Sequence, residues 1–177
     1  MNRLSIAATY GAGAALASFA LSLALYVINT NLMVEWWVST ATLVLTFVLL
    51  VMACVQVRKQ EGGVLSFGGA WGTSMQAAVV AQFGGVVLSA LLFMVIAPEL
   101  PAILSDLTIA KSSAMMENFG LSAELVEQQM EEARDQIESA FTFIGMFKSS
   151  LWSLLFWAVI SLLVAAITKR KPKTEFV

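Results

Sequence analysis

Two short motifs in this sequence have the spacing of known active-site loops, and each lacks a residue that the chemistry requires. Gly72-Thr-Ser-Met-Gln begins like the nucleophile elbow of a hydrolase, but it lacks the final glycine, and the chain has no histidine to activate Ser74. Gly63 and Gly68 have the spacing of a phosphate-binding loop, but Gly69-Ala70 stands where lysine and serine or threonine are required. Neither motif therefore predicts catalysis.

The other polar or glycine-rich features are equally weak candidates for a cofactor or a metal. Gly11-Ala-Gly lacks the third glycine and the preceding strand of a dinucleotide-binding turn. Cys54 stands alone in an apolar run and is interpreted as a small buried hydrophobe. The carboxylates between Glu124 and Glu138 are spread around a helix, which is typical of a solvated face. We expect no catalytic, cofactor-binding or metal-binding residue, and we predict that the protein is not an enzyme.

Long runs without a charge dominate the chain and determine the predicted fold. Because a helix needs about 20 apolar residues to cross a membrane, each run is long enough to span. The composition, 59% hydrophobic and 12% charged, leaves too little polar surface for a soluble globule. We predict an all-α integral membrane protein with a single domain, residues 1–177. Its four transmembrane helices are predicted at about 4–28, 36–57, 70–96 and 149–168.

The apolar stretch after Arg3 resembles a secretory signal at first sight. It continues from Leu4 to Ile28, which is longer than the roughly 7–15 apolar residues of a signal peptide. The small residues that could mimic a cleavage site lie inside the stretch rather than after it. We therefore predict a retained span.

Basic residues lie on one predicted side of the membrane. Arg3, Arg58, Lys59 and a basic tail at 169–177 fall on that side, whereas the segment 99–146 is rich in acidic residues. Positively charged loops favour the cytoplasm. We predict a multi-pass cytoplasmic-membrane protein with both termini cytoplasmic and the segment 99–146 extracytoplasmic.

The segment 99–146 is predicted to form an amphipathic helical hairpin between spans 3 and 4. Pro98 and Pro101 end the third span, Gly120 separates two helices, and Ser122 is a good N-cap for the second. The apolar stripe of the second helix is predicted at Val126, Met130, Ala133, Ile137, Phe141 and Ile144. This stripe covers the first outer helix, the bilayer surface or another subunit, and a local hairpin is favoured.

Small and polar residues recur along three spans and predict helix-packing faces. Gly68 and Gly72 form a small-xxx-small pair, for which we favour internal packing over a dimer. Gln76 and Gln82 are polar groups at membrane depth that point to different sides of the helix. Candidate packing or partner-contact residues are Gly11, Gly62, Gly63, Phe67, Gly68, Gly72, Gln76, Gly84, Ser153 and Ser161.

The segment from Arg58 to Trp71, with its Gly62-Gly-Val-Leu-Ser-Phe-Gly-Gly-Ala core, resembles the inner turn of the bacterial membrane family known as domain of unknown function 4199. The similarity continues through Ile96-Ala-Pro, Gly120-Leu-Ser-Ala-Glu and the final span before Lys169-Arg-Lys. Phe147-Lys-Ser-Ser-Leu-Trp departs from the family's frequent Pro-Val-Gly entry to the fourth span. The resemblance implies a four-span protein of a bacterial cytoplasmic (inner) membrane with unassigned activity.

The uncharged run after the Gly62-Gly63 turn is too long for one upright span, so Leu65 to Trp71 are expected to form an elbow along the membrane surface.

The four spans contain no ionisable groups at depth, which argues against a proton-coupled pump. Our leading hypothesis is an accessory or scaffold subunit that acts through helix packing. The alternative is a small transporter or channel formed by oligomerisation. Expected partners are membrane lipid and either a second copy or another membrane protein, with no nucleic acid.

Overall fold

The computed structural model describes residues 2–170, and these form a bundle of helices. The order is α1 (Arg3–Ile28), a 3₁₀ turn (Thr30–Val34), α2 (Trp36–Gln60), α3 (Phe67–Leu91), a π-helical turn (Leu92–Ile96), α4 (Leu100–Asn118), α5 (Ala123–Ala140) and α6 (Phe143–Thr168). Residues 171–177 of the predicted basic tail lie outside the described part.

Four of these helices are long and apolar enough to cross a membrane, which confirms the predicted fold class. They are α1, α2, α6 and the continuous unit made by α3 and its π-helical turn, Phe67–Ile96. The shortest has 25 residues, or about 37 Å of helix, against a hydrocarbon thickness of about 30 Å. The protein is therefore an all-α, multi-pass membrane protein.

The third span begins earlier than the sequence predicts. The Ser66 hydroxyl accepts a hydrogen bond from the Gly69 amide at 3.1 Å, and this N-cap starts α3 at Phe67. Phe67 to Trp71 are thus the first residues of α3, and the expected surface elbow is wrong. The turn before it depends on Gly62 and Gly63, whose φ angles of +70° and +88° are strained for other residues.

The fourth long helix also begins earlier than predicted, at Phe143. Thr142 caps it by accepting a hydrogen bond from the Gly145 amide at 3.1 Å. Gly145 lies against the carbonyl of Ser139, so the chain turns sharply between α5 and α6. Ile144 therefore belongs to α6, and its predicted place in the apolar stripe of α5 is wrong.

One end of the bundle carries most of the described basic residues and is called the basic end. Leu65 and Arg170 exchange two backbone hydrogen bonds, of 3.0 and 2.8 Å, which tie the start of α3 to the residues after α6. Arg3 pairs with Glu61, and the Arg58 guanidinium donates to the Thr168 carbonyl at 3.2 Å. The first and last described residues therefore lie at the same end of the bundle.

The main hydrophobic core lies in the half of the bundle next to the basic end. Its buried residues come from all four spans, and many are small, so the helices pack closely. They are Ile6, Ala7, Leu50, Ala53, Cys54, Val57, Leu65, Ala70, Ala77, Ala78, Val164 and Ala165.

The two shorter helices, α4 and α5, lie at the opposite end. Val126 and Met130 of α5 are buried and line a cleft with Ile109 of α4, so the apolar stripe of α5 faces α4. A second core cluster, built on Leu92, Ala97, Leu100 and Leu104, attaches α4 to the end of α3. The helices α4 and α5 thus cover the opposite end of the bundle and have apolar contacts separate from the main core.

Candidate functional site

The residues singled out in the sequence do not form one site. Gly62 and Gly63 form the turn, and Phe67 lies at the basic end with the Lys169 ammonium 5.7 Å from its ring centroid. Ser161 is fully buried, and its carbonyl lies 3.5 Å from the Ser74 hydroxyl across the contact between α6 and α3. These residues position helices.

Gly11 and Gly84 lie where α1 packs against α3. A Cβ built on Gly11 would lie against the Ala77 carbonyl oxygen and 2.8 Å from the Val80 Cβ. A Cβ on Gly84 would lie 3.1 Å from the Ala15 Cβ. Both glycines therefore permit the two helix backbones to approach each other.

Gly68, Gly72 and Gln76 lie on one outward strip of α3, which we call the glycine face. A Cβ built on Gly68 or Gly72 would find no other atom within 4 Å, and Gln76 is exposed. The sequence favours internal packing for the glycine pair, but no helix of the described chain packs directly against these two glycines. The physical reason is that α1 contacts α3 on the adjacent strip, through Gly69 and Ala77.

A groove of about 380 Å³ runs along the glycine face towards the N-terminus of α1. Asn2, Arg3, Leu4 and Thr73 line it together with the three residues of the face. Gln76 follows Phe67 by about 14 Å of helix, in a candidate span of 30 residues or about 45 Å. The glycine face thus brings an exposed amide into the third span.

A cavity with a volume of about 700 Å³ lies farther from the basic end, between the four long helices. We call it the central cavity. Segments of all four long helices line it, from the middle of the bundle towards the end remote from the basic end. Its polar lining consists of Ser18 of α1, Ser39, Thr42 and Thr46 of α2, Gln82 and Ser89 of α3, and Ser149, Ser150 and Ser153 of α6. No charged side chain is among the lining residues.

The sequence pointed to part of this cavity and missed the rest. Ser153 was a candidate, and Gln82 was recognised as a polar group at depth. The polar stripe of α2 was missed, although Ser39, Thr42 and Thr46 recur at spacings of three and four residues, which place them on one helix face. That spacing in the sequence predicts a polar face on α2.

Charged groups outside the spans form surface contacts. The backbone amide of Glu99 and the Tyr26 hydroxyl, 2.8 Å away, donate to the Glu99 carboxylate, and both lower its pKa. The Arg134 guanidinium donates to Glu138 at 3.0 Å, which raises the pKa of Arg134. Within residues 2–170, no group of three or more histidine, cysteine, aspartate or glutamate side chains is arranged to hold a metal ion.

Comparison with known proteins identifies one relationship. A family model described as "Protein of unknown function (DUF4199)" matches residues 9–170, which is nearly the whole chain. No curated protein and no solved structure matches the chain.

Proposed function

The chain belongs to the DUF4199 family, whose description gives no activity, and from the geometry we propose that it is a scaffold that self-associates in the membrane through the glycine face. The observation that carries this proposal is the exposed amide of Gln76 at membrane depth, beside two glycines with open space above them.

The amide of Gln76 needs a hydrogen-bonding partner in the membrane. An amide moved into hydrocarbon without a hydrogen bond loses about 2–7 kcal/mol of solvation free energy. Lipid tails cannot supply that bond. A primary amide carries both donors and an acceptor, so two Gln76 side chains facing each other across a two-fold axis satisfy one another. This self-complementarity favours a second copy over a different membrane protein.

The glycines beside Gln76 bring two helices close enough for this bond. Gly68 and Gly72 are four residues apart and therefore lie one above the other on α3. Helices that cross at such small-xxx-small pairs approach closely and gain van der Waals contact. The face thus combines a close-packing surface with a polar group that gains a hydrogen bond when two copies pair.

The proposal also covers the orientation. The basic end carries Arg3, Arg58, Lys59 and Lys169, and basic loops favour the cytoplasm, so we place this end in the cytoplasm of a bacterial cell. The helices α4 and α5 would then be extracytoplasmic. In this orientation a dimer displays two copies of the acidic α5 helix outside the membrane.

Dilution of labelled protein in liposomes, followed by energy transfer between labels, tests the self-association. Gln76→Leu is expected to weaken it about fivefold to thirtyfold, because one interhelical hydrogen bond is worth about 1–2 kcal/mol in model peptides. Gly72→Leu is expected to weaken it at least as much by separating the helices. Gly13→Leu is the matched control, since a Cβ at Gly13 also has no atom within 4 Å.

Two outcomes would contradict the proposal. One is a monomeric wild-type protein at all protein-to-lipid ratios. The other is an equal effect of Gly72→Leu and Gly13→Leu. The accessory-subunit role would be favoured instead if the wild-type chain were monomeric and co-purified with another membrane protein. Gln76→Leu should then abolish that co-purification.

A small transporter or channel is the second candidate, and the central cavity is the observation that favours it. The cavity is lined by polar as well as apolar side chains of the four spans, but the main core fills the bundle between it and the basic end. Transport would require that core to open or a path to form between copies. Solute flux in proteoliposomes that Gly85→Leu blocks, at a glycine lining the cavity, would support this role.

A further inference from the structure

The central cavity has the size and surface of a ligand site, although no chemistry is assigned to it by the scaffold role. Its volume of about 700 Å³ lies within the range of roughly 300–1,000 Å³ found for small-molecule sites. Apolar side chains line it together with convergent hydroxyl groups and one amide, which is the usual composition of such sites.

The lining excludes charged ligands on energetic grounds. No acidic or basic side chain lines the cavity, and all lining residues except Ala140 belong to helices long and apolar enough to span a membrane. A carboxylate or an ammonium ion entering it would lose its hydration without gaining a counter-charge. The cavity therefore selects an uncharged ligand.

The hydroxyl groups indicate which hydrogen bonds the ligand must make. The Thr42 hydroxyl donates to the Val38 carbonyl at 2.9 Å, the Thr46 hydroxyl to the Thr42 carbonyl at 2.9 Å, and the Ser150 hydroxyl to the Phe147 carbonyl at 2.6 Å. With its hydrogen used in this way, the Thr42 oxygen, the least buried of the three, presents lone pairs to the cavity. The exposed hydroxyls of Ser39 and Ser149 and the Gln82 amide can both donate and accept, so the best complement is a molecule with two or more hydroxyl groups.

The walls of the cavity also reach the lipid-facing surface. Leu43 of α2 and Phe156 of α6 line the cavity and have exposed side chains. An apolar chain attached to the bound head group can therefore lie against these residues and continue into the bilayer. The main core closes the cavity on the side of the basic end.

From these features we propose that the central cavity binds an uncharged glyceride, with its hydroxyl-bearing head between the four helices and its acyl chain along α2 and α6. A monoacylglycerol has the required two hydroxyl donors, no charge and one chain. The site shares no residue with the glycine face, so it goes beyond the scaffold role and is tested independently of it.

Binding of radiolabelled monoolein to the purified full chain, in a detergent free of glycerides, tests the proposal. Saturable binding is expected. Unlabelled monoolein should compete, whereas oleate, which is charged, and methyl oleate, which lacks hydroxyl donors, should compete at least about tenfold more weakly. Free glycerol tests whether the ligand is a soluble polyol rather than a lipid. If glycerol competes as strongly as unlabelled monoolein, the ligand is a soluble polyol and the lipid assignment is overturned.

Matched variants locate the binding. Thr42→Val preserves the side-chain shape but removes a lining acceptor, and we expect affinity to fall about threefold to tenfold. Thr40→Val is the control, because the Thr40 hydroxyl is exposed two residues away and does not line the cavity. Gly85→Leu fills the cavity from a position with no atom within 4 Å of an added Cβ, and should abolish binding.

Three results would overturn the proposal. They are the absence of saturable monoolein binding, equal competition by methyl oleate, and equal affinities of Thr42→Val and Thr40→Val. The conservative threonine variants keep the test valid if the larger Gly85→Leu change prevents folding, which circular dichroism would report.

Discussion

Gly11 of α1 lies directly against the backbone carbonyl of Ala77 in α3, so the packing of the first and third spans requires a residue without a side chain. An added Cβ would meet backbone on one side and the Val80 Cβ at 2.8 Å on the other. A peptide carbonyl cannot rotate away as a flexible side chain can, and the helices would have to separate.

Gly11→Ala is therefore expected to destabilise the fold by about 1–3 kcal/mol, the usual cost of overpacking. Gly13→Ala, two residues away with open space above it, is expected to be neutral or slightly stabilising, since alanine favours a helix more than glycine does. Reversible unfolding in mixed micelles with increasing dodecyl sulfate measures both. Equal stabilities of the two variants would refute the close contact.

The turn between α2 and α3 provides a backbone test. Gly63 has φ of +88°, in the left-handed region. Gly63→Val is expected to cost about 1–2 kcal/mol of unfolding free energy, whereas Gly63→Asn should cost less, because asparagine tolerates this region better. The same unfolding assay ranks the two. A valine variant as stable as the asparagine variant would show that the turn does not depend on this angle.

The Arg3–Glu61 ion pair is expected to contribute little to stability. The side chains are 52% and 29% exposed, and pairs of this kind are typically worth about 0.2–1 kcal/mol. A double-mutant cycle with Arg3→Gln and Glu61→Gln measures the coupling, which should shrink further as salt is added. A salt-independent coupling well above this range would mean that the pair is shielded from water.

The hydrogen bond from Tyr26 to Glu99 predicts a pH effect on the acid side. The backbone amide of Glu99 and the Tyr26 hydroxyl both lower the pKa of the Glu99 carboxyl. The carboxylate form therefore stabilises the folded state above the ordinary pKa of glutamate. That stabilisation is lost as the pH falls through the lowered pKa. Tyr26→Phe should raise the pKa of Glu99 while leaving the larger effect of its own backbone amide. Carbon-13 titration of labelled Glu99 by nuclear magnetic resonance measures the shift, and an unchanged pKa would exclude the hydroxyl as a donor.

Labelling with a membrane-impermeant maleimide tests the orientation. Cys54 is fully buried and should not react, so single added cysteines report their own side. In intact cells Gln128→Cys, on α5, is expected to react, whereas Gln60→Cys, at the basic end, should react only after the cells are opened. The reverse pattern would invert the proposed topology.

The long helices could be predicted because a membrane imposes one requirement on every residue of a span. The charge-free run from Trp36 to Val57 already specifies α2, whatever its neighbours are. Helix ends depend on single polar groups, and the caps made by Ser66 and Thr142 moved the starts of α3 and α6 away from the predicted positions. Local chemistry determined the ends, and composition determined the helices.

The direction in which a face points could not be read from the same information. Gly11 and Gly72 are both small residues in apolar spans, yet one is buried against α3 and the other faces outward. The difference arises because α1 packs against one strip of α3, and Gly72 lies on another strip of that helix. The central cavity is harder still, because it exists where four helices fail to meet, and sequence patterns report contacts rather than gaps.

The uneven distribution of the core has a consequence for amide exchange with deuterated solvent. Ala53, Ala77 and Val164 lie in the tightly packed half, and local opening there requires several helices to separate together. Their backbone protons should be replaced last, whereas those beside the cavity, such as that of Ser89, should be replaced earlier. Any molecule that fills the gap would slow replacement at one end of the bundle and leave the other end unchanged.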